Sequence, residues 1–175
     1  MTTTLFHIEP ERDSDEAALA QLSAQAFGPG RFARSAYRVR EGVAPVPELS
    51  LTAWLGERLI GGIRFTAITI GEARDGLLLG PLVVDPAEAG NGYGKALVSE
   101  GLAKAKALEF GLVLLVGDMP YYGRFGFQPV PRGQITLPGP VDPARLLAHE
   151  LAESSLAGAR GMVKAVPPSD LRATR

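Results

Sequence analysis

Asp85 to Leu97 reads DPAEAGNGYGKAL, and the order of the surrounding elements follows from it. Before it runs an apolar stretch, LLLGPLVV (Leu77 to Val84). After it, Leu97, Leu102, Ala105 and Leu108 recur at helical spacing, with Gly101 on the same face. A strand, a glycine-rich turn and a helix are expected in that order. Gly90, Gly92 and Gly94 alternate where the helix begins. Glycine there lets the backbone come close to a ligand, and the first N–H groups of a helix have no internal acceptor. Such an end carries roughly half a positive charge and binds phosphate. The turn reads as a cradle for a phosphate-bearing ligand; the plainer alternative is an ordinary strand-to-helix loop.

The chain has 175 residues, enough for one well-buried domain, expected over residues 1–166 with a loose tail from Pro167. Hydrophobic residues make up 46% and charged residues 21%, an ordinary globular balance. A net charge of -1, with no basic stripe interleaved with aromatics, argues against nucleic acid as the main partner. The absence of cysteine rules out disulfides, a thiolate zinc site and a cysteine nucleophile, and fits a reducing cytoplasm. His7 and His149 are too few for a histidine-rich metal site, and no metal is expected. The acidic start lacks an apolar secretory core, and no stretch approaches membrane-spanning length, so no membrane partner is expected.

Outward from the turn, Leu5 to Glu9 reads as a first strand. Asp13 to Phe27 reads as a helix, with Asp13 and Glu16 at capping-box spacing. Arg31 to Arg40 reads as a second helix, with Phe32, Ala36 and Val39 on one face. Its Arg31, Arg34 and Arg38 either meet an anionic substrate or form a solvated face. Leu49 to Leu55 and Leu59 to Ile70 read as a hairpin, with Gly61–Gly62 as a bulge. Leu77 to Val84 then pairs antiparallel with the second of these strands. Gly111 is expected to cap the helix that follows the turn. Leu112 to Val116 (LVLLV) reads as a buried strand parallel to Leu77–Val84. Tyr121, Tyr122 and Phe125 fall on a short helix, Gln134 to Leu137 on a strand, Ala144 to Leu151 on a helical segment and Gly161 to Val166 on the last strand.

Pro81 conflicts with its surroundings. It cannot donate a ladder hydrogen bond, yet its neighbours are apolar enough to be buried. Either the strand simply bulges there, or its far edge is also unpaired and free to bind a ligand.

Two phosphate motifs fail on spacing. A P-loop would need a glycine at Ala89 and a hydroxyl residue at Ala96. The dinucleotide fingerprint needs G-x-G-x-x-G in the first strand–helix unit of a parallel sheet; here the spacing is G-x-G-x-G after antiparallel strands. LGPLVVDP (Leu79 to Pro86), AGNGYG (Ala89 to Gly94) and YYGRFGF (Tyr121 to Phe127) together resemble the GNAT superfamily of acyl-CoA-dependent N-acetyltransferases, in its YhbS-like bacterial branch. The resemblance covers nearly the whole chain. It departs at Ala89, where the family usually has Gln or Arg.

That resemblance implies an α/β (α+β) fold: one domain with a mixed, mostly antiparallel sheet, splayed between its fourth and fifth strands and flanked by helices. It implies acetyl-CoA as co-substrate and an amine as acceptor. The pantetheine arm would lie in the splay, bonded to the backbone of Leu82, Val83 and Val84. The pyrophosphate would rest on the N–H groups of Gly90, Asn91, Gly92, Tyr93, Gly94 and Lys95, with the Lys95 side chain either adding a contact or solvated. A backbone N–H near Val83 or Val84 would polarise the thioester.

Tyr122 matches the family's general acid, four residues before the glycine of the final G-F. A phenol of reference pKa about 10 protonates a thiolate of pKa about 8.5 without ionising at neutral pH. Its alternative is a core aromatic; Tyr121 packs or faces substrate. Asp118 is either a base, directly or through water, or the cap of the short helix. The acceptor would enter between residues 31–46 and 128–143. An inactive CoA-binding or sensing module of the same fold is the rival to the enzyme. A homodimer is compatible with the sequence and not specified by it.

Overall fold

The computed structural model describes residues 4–28 and 34–171. The Arg31 and Phe32 positions of the expected second helix lie outside these.

The sheet grows from the central hairpin β3 (Arg58–Ile70) and β4 (Ala73–Val84). On one side come β2 (Leu51–Leu55) and β1 (Phe6–Pro10), both antiparallel. On the other comes β5 (Leu112–Val116), parallel to β4 and joined to it by the helix α3 (Tyr93–Ala107). Then follow β8 (Leu146–Glu150) and β6 (Gln128–Pro129). β9 (Gly161–Ala165) pairs with the far end of β3 and, in parallel, with β7 (Ile135–Thr136). The splayed, mixed, mostly antiparallel sheet expected from the sequence is thus the sheet observed.

Alternation along the strands divides the core in two. Ile63, Phe65, Leu77, Leu79, Val113 and Leu115 face α3, meeting Leu97, Val98 and Leu102. Ile68, Leu78, Leu112 and Leu114 face the other way, with Val39 of α2 (Ser35–Arg40). Val83 shares that second face with Leu19 and Leu22 of α1 (Glu16–Phe27). Among the described residues, no helix is long and apolar enough to cross a membrane.

Several local expectations shift. The first helix is entered through Asp15: its carboxylate accepts the Arg12 N–H at 2.9 Å, and Asp13–Asp15 form a 3-10 turn before Glu16. Asp15 thus reaches back to Arg12 as the third residue of a capping box, in place of the expected Asp13–Glu16 pair. The left-handed residue after α3 is Glu109 (φ 66°), so Gly111 is not the cap; its N–H donates instead to Asp75 O at 2.9 Å. The bulge beside Gly61–Gly62 is at Ile60, where Ala53 pairs with Gly61 but Trp54 with Leu59. The helical reading of Ala144–Leu151 is wrong. Leu146, Leu147 and Ala148 are buried on β8, which closes the second edge of β5. Leu and Ala favour helix locally, and strand pairing overrides that preference. Pro168–Leu171 (α5) make one helical turn within the stretch expected to be loose, and Leu171 packs on the core.

Candidate active site

The site begins where two parallel strands separate. β4 and β5 pair at Gly76–Leu112, Leu77–Val113 and Leu78–Leu114, and nowhere beyond. Just past Leu78, β4 bulges: Leu79 pairs with Phe65 and Leu82 with Ile63, leaving Gly80 and Pro81 opposite Arg64 alone. The missing donor of Pro81 therefore falls at a bulge. The Gly80–Pro81 peptide is cis.

Register decides which backbone groups face the gap. The Asp85 N–H donates to Ile60 O at 2.7 Å, flanking the Val84–Gly61 pair. That makes Val84–Gly61 a non-hydrogen-bonded pair, and the pairs alternate along the strand. The N–H and C=O of Val83 are consequently turned into β3, and those of Leu82 and Val84 toward the gap. Of the three residues named from the sequence, Leu82 and Val84 present backbone to it; Val83 presents its side chain to α1.

The turn after β4 is braced on one side and bare on the other. Asp85 accepts the Ala87 N–H at 2.9 Å, and Arg58 pairs with both Asp85 and Glu88. The Asn91 side chain donates to Glu88 at 3.2 Å, and the Tyr93 ring stacks on Phe6 at 4.7 Å. These two side chains hold the turn, which leaves only their backbone groups uncommitted to it. Gly90 (φ 84°) and Gly92 (φ 83°) are left-handed, which aims successive N–H groups outward. The first helical bond is Ala96 N–H to Gly92 O at 3.0 Å. The N–H groups of Tyr93, Gly94 and Lys95 donate to no acceptor among the described residues. The Lys95 side chain is exposed.

The aromatic cluster after β5 closes the gap. A Cβ on Gly94 would stand 2.7 Å from the Tyr121 hydroxyl, 3.6 Å from Val84 and 4.0 Å from Leu82. Tyr121 thus sits between the end of β4 and the start of α3, at the gap itself, and burial raises its pKa against the opposing charge of Arg124. Tyr122 on α4 (Met119–Tyr122) packs edge-on to Tyr121, centroids 4.8 Å apart, and against Phe127. Its hydroxyl makes no hydrogen bond to the described residues. Burial, helped by the charges of Tyr121 and Asp118, pushes its pKa up to about 12. Asp118 makes no cap bond; its side chain is 73% exposed and pairs with Arg145 at 3.3 Å.

The raised Tyr122 pKa gives a testable signature. The neutral phenol is favoured in the fold, so stability is unaffected below about pH 10 and falls as pH rises through about 12. Ultraviolet titration of tyrosinate is expected to show a late-ionising group that disappears in Tyr122→Phe. The variant is also expected to lose less stability than the parent across that window.

On the opposite face of β4, the guanidinium of Arg40, the last residue of α2, lies over Gly80: a Cβ there would be 2.6 Å from its Nη1. Helical face singles out Arg31, Arg34 and Arg38 in the sequence, not Arg40. The only signal was its nearness to Pro81 in the fold, which spacing does not carry. Arg38 and Ser35 instead reach Gly139, and Ser35 Oγ donates to Pro140 O at 2.8 Å. This joins the two regions expected to border the acceptor. A cavity of about 300 Å³ opens there, lined by Val130, Leu137, Val141 and Leu146.

A mixed sheet that parts between two parallel strands, with a bare helix N-terminus at the head of the gap, defines an acyltransferase-type α/β domain. The chain belongs to the GNAT acetyltransferase family, which it matches over residues 17–127. It is 30% identical over 108 residues to the uncharacterized N-acetyltransferase YhbS of Escherichia coli (strain K12), covering 61% of this chain and 65% of that protein. It therefore spans somewhat less than two thirds of that relative. It is 32% identical over 127 residues to the uncharacterized N-acetyltransferase YjhQ of the same strain, covering 71% and 69%. It shares its fold with the crystal structure of Escherichia coli YhbS in complex with CoA: TM-score 0.80, 24% identity, 97% of this chain and 94% of that one. A GNAT family acetyltransferase from Brucella melitensis, crystallised with acetyl-CoA, gives a TM-score of 0.61 at 29% identity, over 83% and 96%.

Proposed function

We propose that this protein transfers an acetyl group from acetyl-CoA to a primary amine. One observation carries the reading: the unpaired edge of β4 at Leu82 and Val84 runs directly into the bare N–H groups of α3. An extended arm bearing amide groups can pair with the first, as an added strand would, and a pyrophosphate can rest on the second. Ala89, where the family usually has Gln or Arg, leaves the backbone from Gly90 to Lys95 to do the holding.

Acetyl-CoA supplies the activated acyl group. As the new N–C bond forms the C–S bond breaks, one proton leaves the amine, and one reaches the departing sulfur. We assign that last proton to Tyr122, which burial keeps protonated through neutral pH. A gap-facing backbone N–H of β4, that of Leu82 or Val84, would polarise the thioester oxygen. Asp118, exposed and paired with Arg145, is a weak candidate for the base. An amine that arrives deprotonated, or a water relay, needs none.

Calorimetric titration with acetyl-CoA is expected to show saturable binding in the micromolar range. No binding at high micromolar ligand would overturn the reading. A thiol-release assay over an amine panel separates enzyme from sensor: tight binding without turnover of any amine would favour the inactive module.

A further inference from the structure

Arg40 is a partly buried cation for which the described residues supply no counter-ion. Its neighbours across the bulge explain why. Arg64, the other guanidinium on this face, is held by Glu11 through Nε at 3.0 Å and through a second bond from Nη2. That pair leaves Glu11 engaged. Glu16 lies with Arg64 and Pro81 around a hollow of about 100 Å³ against α1, and its charge acts on Arg64. The Arg40 guanidinium has the Tyr37 ring beneath it, 5.9 Å from centroid to guanidinium carbon, and makes no ion pair or hydrogen bond with the described residues. Desolvation lowers its pKa to about 10, so it is charged at neutral pH.

A buried charge is costly without a partner. Here the charge is held over a glycine, where the strand bulges and no side chain intervenes. It lies two residues before the first gap-facing backbone group, Leu82. Leu79 to Leu82 spans only the two-residue interval from Phe65 to Ile63 on β3, about 7 Å at about 3.3 Å per residue, so Gly80 and Leu82 lie within that distance of each other. The span suits a small molecule whose reacting amine and anionic group are a few bonds apart.

We propose that the acceptor is a small anionic amine, an amino acid or amino phosphate, whose carboxylate or phosphate is bound by the Arg40 guanidinium over Gly80. A guanidinium fork matches either anion through two parallel hydrogen bonds. The assignment rests on the acetyl-transfer reading of the gap, and specifies which amines that gap accepts.

The test runs thiol-release kinetics with acetyl-CoA on matched amines: amino acids, their amides and decarboxylated counterparts, and aminoalkyl phosphates. Parent, Arg40→Gln and Arg40→Lys are compared, with calorimetry of acetyl-CoA on all three. The parent is expected to prefer anionic amines over neutral counterparts by at least 10-fold in kcat/KM. Preference among the anions then tells carboxylate from phosphate. Arg40→Gln is expected to raise KM for the anionic amine about 10- to 100-fold, with acetyl-CoA affinity unchanged, and Arg40→Lys to recover part of the loss. Equal or better turnover of neutral amines overturns the proposal, as does an unchanged KM in Arg40→Gln or the absence of any turnover of anionic amines by a parent that binds acetyl-CoA. A parent that fails to bind acetyl-CoA overturns the acetyl-transfer reading, and this assignment with it.

Discussion

Tyr122→Phe is expected to lower kcat by about 10²- to 10³-fold, with the dissociation constant for acetyl-CoA changed less than 3-fold, on the scale of a removed general acid. The substitution deletes one oxygen and leaves the ring on Gly117 and Phe127, so packing is retained. A structural role would show as lost stability with kcat intact. A proton-donor role shows as lost kcat, least severe toward acyl thioesters with a more acidic leaving thiol. Tyr121→Phe is the paired control, because the Tyr121 hydroxyl is the one beside Gly94 and Val84. If Tyr121→Phe loses kcat and Tyr122→Phe does not, the acid is Tyr121. Steady-state kinetics on both variants decides between them.

The second large effect is structural. Phe65→Ala is expected to cost about 3–5 kcal/mol, measured by urea denaturation. Phe65 is fully buried in the middle of β3. Its ring lies against the backbone of α3 so closely that a Cβ on Gly101 would stand 2.6 Å from it. Truncation leaves a void that a helix and a sheet cannot both collapse into. For a domain whose whole stability is about 5–15 kcal/mol, that is a large share. The same ring fixes how near α3 sits to β4, and so where the bare N–H groups point. Acetyl-CoA affinity is therefore expected to fall along with stability, whereas a substitution on exposed Leu5 should move neither.

The strand, turn and helix around Asp85–Leu97 were legible because each rests on a local pattern: an unbroken apolar run, alternate glycines, a helical period. Pro81 was legible as an irregularity for the same reason. Four features were not legible, each for a non-local cause. Residues 144–151 have helix-forming composition, and only the open edge of β5 makes them a strand. Val83 looks no different from Leu82 and Val84, and only the pairing phase fixed by Asp85 and Ile60 turns its backbone away from the gap. Arg40 ends a helix of alternating arginines. Its distinction from Arg38 comes from a bulge forty residues later in the chain, which brings a glycine beneath one and not the other. Tyr121 and Tyr122 are adjacent and chemically alike, and no sequence rule tells which hydroxyl would reach the gap.

The phase of β4 also bears on what binding asks of the protein. Val83 and Asp85 knit the strand to β3, while Leu82 and Val84 leave their peptide groups to the other side. A guest lying in the gap would then gain its hydrogen bonds from groups that the host has not committed elsewhere. No rung of the existing ladder has to open, and the acceptor geometry is set before the guest arrives. Such preorganisation places most of the ordering entropy on the flexible arm of the ligand rather than on the fold.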